Sequence, residues 1–117
     1  MRKKPDLIIV HAGTNDLTND RVNTIDNWRE IIETAKQESP ETEIVFSSLT
    51  IRNDRPGMPK RVKALNNKVR EFCEKNKIKV ISNTNVEENS LSAKKLHLNQ
   101  RGNSVLARNY LNFINNY

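Results

Sequence analysis

The 117-residue sequence has a single cysteine, two histidines and no long hydrophobic run. One thiol, Cys73, excludes an intramolecular disulfide and fits a reducing compartment. No stretch approaches the roughly 18 consecutive apolar residues that a membrane span needs. The start, Met1-Arg2-Lys3-Lys4 ahead of Leu7-Ile8-Ile9-Val10, is broken by Pro5 and Asp6 and followed by no small-residue cleavage site, so it does not read as a signal peptide. The chain is expected to be soluble, intracellular and cytoplasmic. His11 and His97 lie far apart, with no cysteine or acidic cluster beside them, which gives no metal-ligand spacing. Neither a metal nor another cofactor is expected. Aromatic residues make up only 5% of the chain, and apolar residues 35%, below the usual globular range. The apolar residues are clustered, however, so the pattern is that of a folded chain with a thin core and not of a disordered one. There is no linker, repeat or low-complexity tract, and the length suits one domain over residues 1–117.

What is abundant is positive charge. The formal net charge is +6. Residues 60–79 hold Lys60, Arg61, Lys63, Lys68, Arg70, Lys75, Lys77 and Lys79 against Glu71 and Glu74, an excess as large as that of the whole chain. Two readings follow: a solvated helix face, or a non-catalytic binding surface for nucleic acid or a protein partner. Phe72, the one aromatic there, falls on the core stripe, so no platform for base stacking is visible.

Leu7-Ile8-Ile9-Val10 is a continuous apolar run ending at Ala12-Gly13, the pattern of a strand buried on both faces in a parallel sheet. Ile25, Trp28, Ile31, Ile32 and Ala35 then recur at helical spacing, with Asn23 or Thr24 as N-cap and Ser39-Pro40 as the stop. Ile44 to Leu49 is a second strand, and Pro56-Gly57 marks a turn. Val62, Leu65, Val69, Phe72 and Cys73 form the stripe of a second helix. Ile78, Val80 and Ile81 give a short third strand. After a polar loop, Val105, Leu106, Tyr110, Phe113 and Ile114 define a last helix capped by Asn99. Strands are predicted at 6–12, 43–50 and 78–82, and helices at 24–38, 59–76 and 100–116. Alternation of this kind means a parallel sheet with helical crossovers. Right-handed connections place the first two helices on one face and the last on the other, where one helix is too few to cover the sheet.

In open α/β sheets ligands bind beyond the C-terminal ends of the strands. Two segments fall there: Gly13-Thr14-Asn15-Asp16 after the first strand, and Leu96-His97-Leu98-Asn99 before the last helix. Taken alone, Asn15 and Asp16 form no more than an Asx-turn, and a lone histidine is more often packed or solvated than catalytic. His11, inside the strand run, reads as a packing residue.

Together these segments resemble two conserved blocks of the SGNH/GDSL-type hydrolases. Pro5 to Asp16 looks like the Gly-x-Asn-Asp block, and Lys94 to Gly102 like the block in which an acid precedes the histidine by three residues. The resemblance covers nearly the whole chain. It implies the C-terminal portion of a three-layer α/β/α, flavodoxin-like SGNH hydrolase fold, truncated at the N-terminus with three strands retained. It also implies acyl-ester hydrolysis as the ancestral activity and a small ester as substrate. By position Asn15 matches the oxyanion donor, a neutral amide aimed at developing charge. His97 matches the general base, and Gly13 and Asp16 match the residues that shape and brace the loop. The pattern is incomplete. The Gly-Asp-Ser block that carries the nucleophile has no counterpart, nor has the block that supplies a second oxyanion donor. Lys94 stands where the acid should be, and a lysine cannot accept the imidazole proton; Glu87 and Glu88 lie upstream in the same loop. Ser47, Ser48, Ser90, Ser92 and Ser104 read as structural. The expectation is an incomplete or inactive esterase domain. Its first strand, residues 6–12, would be an open apolar edge that pairs with a second copy or with a complementing N-terminal segment, or else leaves the chain marginally stable and prone to aggregate.

Overall fold

A computed structural model describes residues 5–11, 24–93 and 97–116. The elements in chain order are strand β1 (Leu7–Val10), helix α1 (Thr24–Glu38), strand β2 (Glu43–Ser47), helix α2 (Met58–Lys75), strand β3 (Lys79–Ile81), a 3-10 turn (Glu88–Ser90) and helix α3 (Gln100–Asn115). The three strands form one parallel sheet in the order β1-β2-β3. In its register Ile8 is opposite Ile44, and Phe46 is opposite both Val10 and Val80.

Side-chain alternation along β2 sorts the layers. Ile44 and Phe46 belong to the core formed with Trp28 and Ile32 of α1 and with Val62, Leu65, Val69 and Phe72 of α2. Trp28, Phe46 and Phe72 meet there with ring centroids 5.4–5.9 Å apart, within the range of favourable offset and edge contacts. Cys73 is fully buried beside them, and desolvation pushes its thiol pKa up to about 11. The alternate residues Val45 and Ser47 face the other side, where the Tyr110 hydroxyl of α3 reaches Ser47. The first two helices therefore share one face and α3 covers the opposite one, as the handedness argument requires.

That second face is thinly covered. Only Gly102 of α3 is buried, while Leu111 and Ile114 are 57% and 47% exposed. All four residues of β1 are only half-buried, and no strand among the described residues pairs with its outer edge.

The elements end for identifiable reasons. β2 is shorter than the predicted 43–50. Ser48 still donates its backbone N–H to Ile81, but the Leu49 N–H turns to the Asn66 side chain, 2.7 Å away, and the Asn66 amide returns to the Leu49 carbonyl. One amide thus fastens α2 to the strand end and closes the ladder. Gly57 caps α2 at φ 81°, a left-handed conformation suited to glycine, with Pro59 in the first turn. The Asn23 half of the α1 cap choice lies outside the described residues, and Thr24 is the first helical residue. Ser39 ends α1, and its hydroxyl pairs with that of Thr42, which donates to the Pro5 carbonyl.

Candidate functional site

Of the residues singled out in the sequence, Gly13, Asn15, Asp16 and Lys94 lie outside the described residues. His97 is described. It is exposed and sits two residues before the cap of α3. Its backbone is held firmly. The Ser92 N–H donates to the His97 carbonyl at 2.8 Å, and Leu91 and Leu98 form an isolated antiparallel bridge around it. Asn99 then works at both ends of its amide. Its Oδ1 accepts the Gly102 N–H, capping the helix, while its Nδ2 donates to the carbonyls of Asn89 and Leu91. Gly102 is required by proximity: a Cβ there would overlap the Ser90 carbonyl oxygen. The spacing His-Leu-Asn-x-x-Gly thus has a physical basis. The asparagine and the glycine lock the loop against the helix, and the imidazole projects from a fixed backbone.

At the C-terminal end of the sheet the structure assembles a polar junction that sequence reasoning did not find. Its hub is Ser47, the last residue of β2, 2% exposed. Asn83, which follows β3, donates from Nδ2 to Ser47 Oγ at 2.7 Å and to the Ser48 carbonyl at 2.6 Å. Its backbone N–H donates to Ser48 Oγ, and its Oδ1 accepts from Asn109 of α3. Tyr110 donates to the same Ser47 Oγ at 2.8 Å. His11 Nδ1 lies 2.8 Å from that oxygen. Sheet, loop and α3 are bolted together here, and no buried side-chain nitrogen or oxygen among the described residues lacks a partner.

The donor count decides what the Ser47–His11 contact is. A hydroxyl offers two lone pairs and one proton. Asn83 and Tyr110 occupy the lone pairs, so Ser47 donates its proton to His11 Nδ1, and His11 is neutral with its own proton on Nε2. Burial of the ring lowers the His11 pKa, although the residue as a whole keeps a large share of its surface open. The two agree, since an Nδ1 proton would face a serine oxygen already saturated with donors. A serine beside a histidine invites reading as a nucleophile–base pair. Ser47 fails that reading because it is buried and has no free lone pair with which to attack. His11, expected as a packing residue, instead orients a hydrogen-bonded hub. The sequence signals, seen in retrospect, are the Ser47-Ser48 pair inside an otherwise apolar strand and Tyr110 on the apolar stripe of α3.

Three further serines have structural partners or settings: Ser48 accepts the Asn83 N–H, Ser90 is 2% exposed beneath Gly102, and Ser82 pairs with Thr84. Among the described residues no group of three or more His, Cys, Asp or Glu side chains is placed to hold a metal ion, and no helix is long and apolar enough to cross a membrane. A cleft of about 570 Å³ runs along β1 and α1, lined by Ile8, Ile31, Thr34 and Ala35 with Glu30 and Glu38. It flanks the open strand edge and does not lie at the strand ends, where ligands of such sheets bind.

Comparison with known proteins places this architecture. The model of the GDSL-like lipase/acylhydrolase family matches residues 1–105. A GDSL-like lipase from Bacteroides thetaiotaomicron superposes with a TM-score of 0.75 at 20% identity, over 96% of this chain and 63% of that one. The lipase/acylhydrolase from Enterococcus faecalis gives 0.73 at 26% identity, over 94% and 61%. The esterase domain of an ORF1 protein from a zebrafish retrotransposon gives 0.71 at 25% identity, over 92% and 67%. The chain therefore spans about six-tenths of the length of such structures. No curated protein matches it.

Proposed function

The chain belongs to the GDSL-like lipase/acylhydrolase family, and from that premise we propose that residues 1–117 supply the base-and-oxyanion half of an acyl-ester hydrolase site and not its nucleophile. His97 is the general base: a neutral imidazole takes the proton of a serine hydroxyl and returns it to the leaving alcohol. Asn15 donates its amide to the tetrahedral oxyanion, Gly13 shapes the exit from β1 and Asp16 braces the loop. The observation that carries this reading is the Asn99–Gly102 lock, which fixes the backbone beneath an exposed His97.

The nucleophilic serine is assigned to a strand of a complementing segment that pairs with the outer edge of β1. The outer edge of β1, which no strand among the described residues pairs, the half-buried Leu7 to Val10 and the adjacent cleft beside Ile8 and Ile31 support that assignment. Lys94 in place of the acid leaves the imidazolium without an anionic partner at that position, so the completed site works as a serine–histidine pair unless Glu87 or Glu88 reaches Nδ1. A small ester as substrate and a reducing, cytoplasmic setting, in keeping with the lone buried Cys73, complete the proposal.

The test is hydrolysis of a short activated acyl ester by this chain, by His97→Ala and by Asn15→Ala. Residues 1–117 alone should show no serine-dependent turnover. Turnover that both substitutions abolish and a serine-directed phosphonate blocks would place the nucleophile among these residues and overturn the assignment.

A further inference from the structure

We propose that the outer face of α2 is a sequence-independent binding surface for the phosphate backbone of nucleic acid, a role separate from ester hydrolysis. From Met58 to Arg70 the helix carries Lys60, Arg61, Lys63, Lys68 and Arg70 and not one acidic residue. All five side chains are exposed. They fall into two stripes. Lys60, Lys63, Asn67 and Arg70 follow one another at three- and four-residue spacing, and Arg61 and Lys68 lie seven apart on the neighbouring flank.

At the start of the helix this charge works against the helix itself. The first turn of a helix favours anions, and cations there oppose the macrodipole; α2 has no acid in that turn. Nor does it serve the core, since Met58, Val62, Leu65, Val69, Phe72 and Cys73 occupy the buried side. A local rule broken without a compensating gain in stability points to a function. The face is also rigid. The buried stripe anchors α2 to the sheet, and the Asn66 amide clasps the backbone of Leu49 in both directions. Arg70 donates to Asn67 and so lies along the stripe.

The chemistry selects a phosphate backbone. Lys60 to Arg70 spans about 15 Å at 1.5 Å per residue, which matches about four phosphates of one strand at roughly 3.4 Å each along a duplex. No aromatic side chain lies on this face, so there is no base stacking and no sequence preference. A membrane surface fits less well, because the apolar side of α2 is committed to the core and leaves nothing to insert into acyl chains.

The experiment is fluorescence anisotropy of a labelled mixed-sequence RNA oligonucleotide titrated with the chain between 50 and 300 mM salt. Five phosphate contacts predict a slope of log K against log[salt] of about −3.5 for a single strand. The variant K60Q/K63Q/K68Q/R70Q should weaken binding at least tenfold at 100 mM salt and flatten the slope by about 2.8. A charge-matched control away from α2, R29Q/K36Q/R101Q/R108Q, should bind within about threefold of the parent if contacts and not net charge matter. Equal loss in both variants, an unchanged slope, or no binding at 50 mM salt would overturn the proposal. So would binding to anionic phosphatidylserine vesicles but not to RNA.

Discussion

Replacing Asn83 with alanine probes the junction that joins sheet, loop and α3. Asn83 is 2% exposed, and its side chain makes three hydrogen bonds: to Ser47 Oγ, to the Ser48 carbonyl and from Asn109. The losses are unequal. Ser47 retains Tyr110 and His11, and Asn109 retains Asn85. The Ser48 carbonyl loses its side-chain donor in a buried setting, which costs about 1–3 kcal/mol. Adding roughly 1 kcal/mol for the net worth of the other two bonds gives a loss of about 2–4 kcal/mol. For a domain of this size, at roughly 4 °C per kcal/mol, that is a fall in Tm of about 8–16 °C. Asn83→Asp separates hydrogen bonding from packing. It keeps the volume and the acceptor for Asn109 but sets a carboxylate oxygen against the Ser48 carbonyl. It should therefore be worse than alanine at pH 7 and recover as the pH falls and the acid gains a donor proton. Circular-dichroism melts and urea titrations of both variants, with Ser82→Ala as an exposed neighbour, provide the readout. A loss under about 0.5 kcal/mol for alanine, too small for a buried orphaned acceptor, would refute the reasoning. So would an aspartate variant as stable as the parent at pH 7.

Two further outcomes follow. Gly102→Ala should destabilise the chain by about 1–3 kcal/mol, because the new methyl must displace the Ser90 carbonyl; hydrogen exchange should show the 88–99 loop loosening more than the α1–α2 core. The His11 pKa is lowered in the folded state from its ordinary 6.5, so the unfolded chain binds the proton more readily. The contribution of His11 is then complete above pH 6.5 and is lost as the pH falls through the folded value. His11→Gln, which offers an acceptor without a titration, should flatten that part of the stability–pH curve; a parent and variant with parallel curves from pH 7.5 to 5.0 would exclude it.

Much of the architecture was legible because it is local. Trp28 and Ile32, or Val62 to Phe72, announce their helices by spacing, and Leu7 to Val10 announces a strand by its unbroken apolar run, although its residues are half-buried and not buried on both faces. Helix limits agree within a residue, since Asn99, Gly57 and Ser39-Pro40 act on their own neighbours. Strand β2 ends earlier than expected because a tertiary contact decides it: Asn66, on another element, takes the Leu49 N–H. The Ser47 junction was illegible for the same reason. Its partners lie 36 and 63 residues away, and periodicity carries no information at that range. For His97, Asn99 and Gly102 the spacing was visible, but only the structure gives the cap, the loop tie and the close approach that explain it.

The most direct measurement is activity of a completed site. The part of the Enterococcus faecalis lipase/acylhydrolase that this chain does not cover is fused ahead of Met1, to test whether it supplies a strand to β1 and a serine to His97, and turnover of a short activated ester is followed. The account predicts turnover that the 117 residues alone lack. It should fall to background in His97→Ala and by about 10²–10³ in Asn15→Ala, the usual effect of removing one oxyanion donor. Turnover by the fusion that survives His97→Ala would contradict it, as would a well-folded fusion whose serine never reacts with a phosphonate.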